Sequence, residues 1–264
     1  MLNKLTRELA VCGFNAVSAL GEVHPESINR LFLREDRFPL FTKVCKQLAG
    51  RKRPYKVCSD EELERICKSN RHQGVVAMIE EPVVEPATPA DLDLWAQGKT
   101  GLILHSVGND HNLGAMVRSA AFFDAHFIIL SEADTQLTTS AYRVAEGGME
   151  HVVFRTIRDT AAFLKAASDS IVTIGTEPRA RLRIRDLGTI IQDRGSLLHT
   201  DKSRQPGARP LPGIALVVGN ETSGLPPEVK ACCSAMVRIP GTGALESLNV
   251  AQVATIFLHE LYEL

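Results

Sequence analysis

The chain has 264 residues, 44% of them hydrophobic and 23% charged, with a formal net charge of -1. That length can bury one large core or two smaller ones, and its apolar runs are too short to cross a bilayer. The six cysteines form no Cys-x-x-Cys pair and the first residues lack the apolar stretch of a secretory signal, so a disulfide scaffold and a zinc ribbon are excluded and reduced thiols in the cytoplasm are expected.

Near-neutrality conceals two basic regions. Residues 1–80 hold 14 Lys/Arg against 10 Asp/Glu, and residues 176–210 hold 8 against 4. Such regions fit a polyanion partner, although a solvated face explains a charge run more often.

In chain order, the first 80 or so residues read as a small α/β unit. Strands are expected at Leu31-Phe-Leu, Tyr55-Lys-Val-Cys and Gly74-Val-Val-Ala-Met-Ile, with helices near 39–49 and 60–69. The second helix opens with Ser59 and an acid at Glu62, the spacing of a capping box. Glu80-Glu-Pro-Val-Val-Glu-Pro-Ala-Thr-Pro-Ala then reads as a linker because of its prolines. From Gly101, short apolar runs (Leu102-Ile-Leu, His126-Phe-Ile-Ile-Leu, Val152-Val-Phe, Ile171-Val-Thr-Ile, Ile214-Ala-Leu-Val-Val) alternate with helical patterns. Near-continuous apolar strands separated by helices predict a parallel sheet covered on both faces. Residues 178–212 interrupt this rhythm with Arg179-x-Arg181-x-Arg183-x-Arg185, and their latter half, from Asp201, reads as a mobile surface loop. A last helix is expected from about Ser247, with Val250, Val253, Ala254, Phe257, Leu258 and Leu261 forming an apolar stripe.

Three glycine-containing segments stand out: Asn109-Asp-His-Asn-Leu-Gly-Ala-Met-Val-Arg118, Val218-Gly-Asn-Glu-Thr-Ser-Gly-Leu225, and Ile239-Pro-Gly-Thr-Gly-Ala-Leu-Glu-Ser-Leu-Asn-Val250. Gly219-x4-Gly224 is followed by Leu-Pro rather than Lys-Ser/Thr, so it is no phosphate loop, and Gly241-x-Gly243 lacks the third glycine of a dinucleotide fingerprint. The eight histidines show no metal-ligand spacing, so no metal site is expected. Gly219, just past an apolar strand, permits close backbone approach, and Leu225, Ile239 and Leu248 can supply apolar walls to a bound cofactor. Arg118 brings a charge out of an otherwise apolar helix. A salt-bridged surface arginine is the commoner case, but a guanidinium can also stabilise developing negative charge. Asn112 and Ser247 suit helix N-caps as well as substrate contacts, and Glu221 can serve a turn.

Taken together, these three segments in order resemble the SPOUT class of RNA methyltransferases, and within it the TrmH (SpoU) family of ribose 2′-O-methyltransferases, over nearly the whole chain. Gly13-Phe-Asn-Ala-Val and His72-Gln-Gly-Val-Val-Ala are similar to the family's RNA-binding extension, which is like ribosomal protein L30e in fold. The resemblance implies an α/β, parallel-sheet SPOUT domain with a C-terminal trefoil knot over residues 99–264. It also implies an L30e-like substrate domain over 1–82, with 83–98 as linker. The implied cofactor is S-adenosyl-L-methionine, the implied partners are structured RNA (rRNA or tRNA) and a second copy in a homodimer, and no membrane is implied. By position, Gly219, Ile239 and Leu248 match residues bracketing the cofactor, with Leu225 beside them. Arg118, Asn112, Glu221, Ser247 and Asn249 match the catalytic and substrate positions. Arg118 is there thought to activate the ribose hydroxyl. A guanidinium of pKa above ~12 is a poor base, so phosphate positioning or oxyanion stabilisation suits it better. The chain departs from the family at Asn109-Asp110 (usually Asp-Pro), Gly241 (Met) and Ala251 (Ser), and its arm at 178–212 is longer. A knotted RNA-binding protein with lapsed catalysis, and methylation of a base instead of a ribose, are the alternatives.

Overall fold

The computed structural model describes residues 2–3, 7–132, 136–198 and 212–264, with only the backbone of residues 2 and 3. The chain divides into two compact units. One comprises residues 1–83, 109–118 and 136–151, and the other residues 84–108, 119–135 and 152–264.

The first unit is built on a five-stranded sheet. Its strands are β1 (Leu2–Asn3), β2 (Glu8–Cys12), β3 (Ile28–Leu33), β4 (Tyr55–Val57) and β5 (Val75–Glu80), in the order β1-β2-β5-β3-β4. β5 lies antiparallel to both β2 and β3, and β4 closes the edge parallel to β3. Helices α1 (Phe14–Val23), α2 (Thr42–Gly50) and α3 (Asp60–Cys67) join the strands. The capping box expected at α3 is present: Ser59 accepts from the Glu62 amide, and Glu62 accepts from the Ser59 amide. β2 and α1 were not expected from the sequence. β2 is buried at all five residues, so it lacks the alternation that marks a half-exposed strand. The unit also holds the start of α5 (Asp110–Phe122) and α6 (Thr139–Ala145).

The second unit is built on a seven-stranded sheet whose pairings are all parallel. Its strands are β6 (Thr100–Leu104), β7 (Ala125–Ser131), β8 (Val153–Ile157), β9 (Ile171–Thr176), β10 (Leu182–Arg183), β11 (Gly213–Val218) and β12 (Ala235–Arg238). Their spatial order is β10-β12-β9-β11-β6-β7-β8. β11 is buried at every residue, as a strand covered on both faces must be. Helices α4 (Pro89–Trp95), α7 (Thr160–Ala167), α8 (Leu187–Leu198), α9 (Pro227–Lys230) and α10 (Val250–Tyr262) accompany it.

Three local differences from the sequence reading have physical causes. The proline-rich stretch read as linker is stitched to the sheet: the Thr156 amide donates to the Glu85 carbonyl, and the Ala87 amide to the Thr156 carbonyl, each at 2.9 Å. Thr88 and Asp91 then form a capping box, and α4 delivers Trp95 into the core. The Trp95 ring stacks on Phe127 with centroids 5.0 Å apart, and its indole N–H donates to the Ile214 carbonyl at 2.9 Å. Two strand glycines make room for it. A Cβ on Gly101 would lie 2.6 Å from the ring, and one on Gly213 would lie 2.2 Å from the Trp95 carbonyl oxygen. The arginine-rich arm, read as an interruption, contributes edge strand β10 and helix α8. The expected mobile loop from residue 201 lies outside the described residues, apart from Pro212. Lastly, the apolar stripe of α10 is already covered, since Val250, Ala254, Phe257, Leu258 and Leu261 are buried.

Candidate active site

The loops of interest in the second unit leave the carboxyl ends of the parallel strands, the edge at which open α/β sheets place their ligands. β6 and β11 are neighbours in register, with Leu104 beside Val218. The His105 amide donates to the Val218 carbonyl at 2.9 Å, so the two strands leave the sheet together.

After Val218 the chain folds into a closed turn. The Gly224 amide donates to the Asn220 carbonyl at 2.9 Å, and the Asn220 side-chain oxygen accepts from the amides of Thr222 (2.9 Å) and Ser223 (3.1 Å). The Asn220 Nδ2 reaches across to donate to the Ser106 carbonyl at 2.9 Å. One asparagine therefore shapes the turn and ties it to the loop after β6. Gly219 is demanded by this closure: a Cβ there would sit 2.4 Å from the Gly224 carbonyl carbon and 2.6 Å from the Leu225 nitrogen. The sequence supplied a different reason, close approach of a cofactor. Asn220 itself was overlooked, although a side chain that can form an Asx turn between two glycines is its signal.

Of the expected apolar walls, Leu225 belongs to the hydrophobic core with Ile103 and Val217, Ile239 is half-buried, and Leu248 is 44% exposed. Glu221, Ser247 and Asn249 are all exposed. Asn249 rather than Ser247 caps α10, its side-chain oxygen accepting from the Ala251 amide at 2.9 Å. Glu246 pairs with Arg179 at 3.2 Å; both side chains are at least 80% exposed, so the pair adds little stability. Around Gly108 and Gly241 an added Cβ would meet nothing within 4 Å. These loops thus present exposed leucine, half-buried isoleucine and open backbone at the carboxyl edge of the sheet, the mix of apolar surface and backbone polar groups found in small-molecule sites.

The remaining site residues lie on α5. Asn109 caps that helix, accepting from the amides of His111 (2.8 Å) and Asn112 (3.4 Å), a task asparagine performs as well as aspartate. Asp110, in the first turn where an acid favours the helix dipole, accepts from the Thr138 hydroxyl at 2.7 Å. Asn112 is half-buried in the same turn. Gly114 lets the helix press on α6, since a Cβ there would meet the Ala141 carbonyl oxygen at 2.6 Å. Leu113, Met116 and Val117 are buried while Arg118 is exposed, so the one cation on this helix faces water. The unit division falls just after it, and Asn112 and Arg118 group with the first unit. There, the two N-terminal segments flagged in the sequence meet: the Phe14 amide donates to the Gln73 side-chain oxygen at 2.7 Å, and Arg37 stands 5.2 Å over the Phe14 ring.

Comparison with known proteins matches residues 99–259 to the family described as SpoU rRNA Methylase. The chain belongs to the SpoU rRNA methylase family. Residues 10–83 of this SpoU chain match a second model, described as RNA 2′-O ribose methyltransferase substrate binding. It is 30% identical over 257 residues to the 23S rRNA (guanosine-2′-O-)-methyltransferase RlmB of Acinetobacter baylyi, covering 94% of each chain. It is 28% identical to the enzyme of the same name from Bordetella pertussis, covering 95% of each. Its fold is similar to that of an rRNA methyltransferase from Sinorhizobium meliloti solved with AdoMet bound, with a TM-score of 0.71 at 22% identity over 98% of this chain and 88% of that one. Among the described residues, no helix is long and apolar enough to cross a membrane.

Proposed function

We infer that this SpoU-family protein is an S-adenosylmethionine-dependent RNA methyltransferase that methylates a ribose 2′-hydroxyl of ribosomal RNA in the cytoplasm. The observation that carries this reading is that one chain matches both the methylase family and the 2′-O ribose methyltransferase substrate-binding family, over residues 99–259 and 10–83. The relatives of similar length, named as 23S rRNA enzymes, favour rRNA over tRNA.

When bound, S-adenosylmethionine supplies an electrophilic methyl group on a sulfonium. Gly219, Ile239 and Leu248 would hold it through backbone groups and apolar contact, with Leu225 supporting the wall from the core. Arg118, permanently charged, would grip a phosphate next to the target nucleotide and stabilise the negative charge developing on the ribose oxygen. Asn112 would position the same nucleotide. Glu221, exposed on the closed turn, would receive or relay the hydroxyl proton, and Ser247 would hydrogen-bond the nucleotide. Asn249, engaged as a cap, would act by fixing the start of α10.

The parallel strand order, in which β12 lies outside β9 and β11 inside it, supports a C-terminal knot, one of the rare exceptions to unthreaded connections. Residues 1–82 would form the L30e-like substrate domain and 99–264 the SPOUT domain. A homodimer is supported by a different surface from the α10 stripe. Phe122 is 79% exposed and Tyr262 61% exposed, and both rings contact Phe123, the first edge-on and the second tilted. Isologous burial of such an aromatic patch is the usual outcome.

The test is transfer of tritiated methyl from S-adenosylmethionine to protein-free 23S rRNA, followed by alkaline digestion. A 2′-O-methyl blocks cleavage at its own phosphodiester, so the label should appear in an alkali-stable dinucleotide. Label in a mononucleotide would refute the ribose assignment. Cofactor binding without transfer to any cellular RNA would identify a lapsed enzyme.

A further inference from the structure

The arginine-rich arm becomes the edge of the seven-stranded sheet. β10 pairs with β12 in parallel, and the register sets Leu182 beside Val237 and Arg183 beside Arg238. Residues directly abreast on neighbouring strands lie about 5 Å apart and project to the same face. Two arginines are therefore abreast at the carboxyl end of the outermost strand pair, and both are half-buried. Like charges in that relation destabilise a sheet. No ion pair holds either one among the described residues. The nearest acids are otherwise engaged: Asp186 accepts from the Arg183 backbone amide at 2.8 Å and stands 3.8 Å from Arg185, while Glu177 pairs with Lys230. The Arg238 Nε is buried with no hydrogen-bond partner among the described residues. An orphaned donor on a permanently charged group is costly, so the fold leaves this guanidinium uncompensated. The Nε itself is closed to a ligand, and an anionic oxygen would meet the rest of the half-buried group.

We propose that Arg183 and Arg238 form a phosphate-binding couple for the backbone of the RNA substrate. The choice of a polyanion over a lone carboxylate rests on what flanks the couple. Arg181 and Arg185 are exposed on either side of β10, which extends the positive charge along the edge as a nucleic-acid backbone requires. A guanidinium fork matches phosphate oxygens in pairs. Arg238 immediately precedes Ile239, so the couple borders the loop that would hold the cofactor and grips the strand being modified. The inference rests on the RNA-methyltransferase reading above.

The experiment measures binding of wild type, Arg183→Gln, Arg238→Gln and the double variant to protein-free 23S rRNA across a salt series. Cofactor calorimetry and thermal melting accompany each variant. The double variant should bind rRNA on the order of tenfold or more weakly. Its slope of log affinity against log salt should be shallower by about 1.4 to 1.8, from two lost phosphate contacts at roughly 0.7–0.9 each. Cofactor affinity should be unchanged, and the melting temperature unchanged or higher, because a like-charge neighbour has been removed. The double Lys variant should keep the wild-type slope. Wild-type rRNA affinity and slope in the double Gln variant would overturn the couple while leaving the enzyme reading intact. Loss of cofactor affinity instead would assign the couple to the cofactor's carboxylate, and a lower melting temperature would assign it to the fold; either result overturns the proposal. A wild-type protein that neither binds rRNA nor transfers methyl would overturn the functional reading, and the couple with it.

Discussion

Replacing Gly219 with alanine tests whether the closed turn is what makes the cofactor loop. The added Cβ would lie 2.4 Å from the Gly224 carbonyl carbon, 2.5 Å from its oxygen and 2.6 Å from the Leu225 nitrogen. Ordinary contact begins near 3.4 Å, so the backbone on one side of the turn must retreat by about 1 Å. It cannot do so freely. Gly224 is tied to Asn220, Asn220 to Ser106, and Leu225 is 2% exposed in the core. Overpacking of this kind costs about 1–3 kcal/mol. If that cost is relieved by opening the turn, cofactor affinity should fall by about 5- to 150-fold. Isothermal calorimetry with S-adenosylmethionine measures it directly, and a melt shows what part of the cost falls on stability. Gly241→Ala is the matched control, since its Cβ would meet nothing within 4 Å. Wild-type affinity and wild-type melting in Gly219→Ala would refute the reasoning, as would an equal loss in Gly241→Ala.

Other outcomes follow from the same geometry. Arg118→Ala should leave cofactor affinity near wild type and reduce methyl transfer on the order of 10²-fold or more, as loss of an oxyanion donor does; unchanged turnover would remove it from catalysis. Glu150, with a side chain 7% exposed, is pushed by burial up to about 7, against the pull of His24 at 4.0 Å. Its folded form thus holds a proton more tightly than its unfolded form, and stability falls as pH rises from about 4.5 towards 7. Glu150→Gln should remove up to about 3 kcal/mol of that decline, seen by comparing melts at pH 5 and pH 8, and an unaltered pH dependence would contradict the burial account. Phe122→Glu should convert a dimer to a monomer in sedimentation at micromolar concentration; a monomeric wild type would refute the aromatic interface.

The sheet of the second unit was legible where its strands are runs of branched apolar residues. Leu102–Leu104, Phe127–Leu130, Ile171–Ile174 and Ile214–Val218 are all strand in the fold. β12 was not, because Ala235-Met-Val-Arg238 follows two cysteines and a serine with no turn signal before it. Nor was β10, two residues long and defined only by its partner. Helix α8 was masked by its own glycines. Gly195, a weak helix former, is there because Pro212 would collide with a Cβ at 2.9 Å. At the site, the residue types were readable but their duties were not. Asn249 offers the same amide to a substrate or to its own helix, and only the backbone around it shows that it caps α10. Leu225 reads as a pocket wall after a glycine, yet it packs in the core. A linear pattern records which chemistry is present, and burial decides which of it faces a ligand.

The wedge at Trp95 bears on how this fold can diverge. A Cβ at Gly101 would strike the indole ring at 2.6 Å and also the Cβ and carbonyl oxygen of Phe127, each at 2.9 Å, whereas one at Gly213 would strike the Trp95 carbonyl oxygen at 2.2 Å. A lineage that exchanged Trp95 for a small side chain would remove only the first of these obstacles. The Phe127 carbonyl and the peptide of residue 95 persist whatever side chains those residues bear. Across diverged copies of the chain, glycine at 101 and at 213 should therefore both outlast the indole.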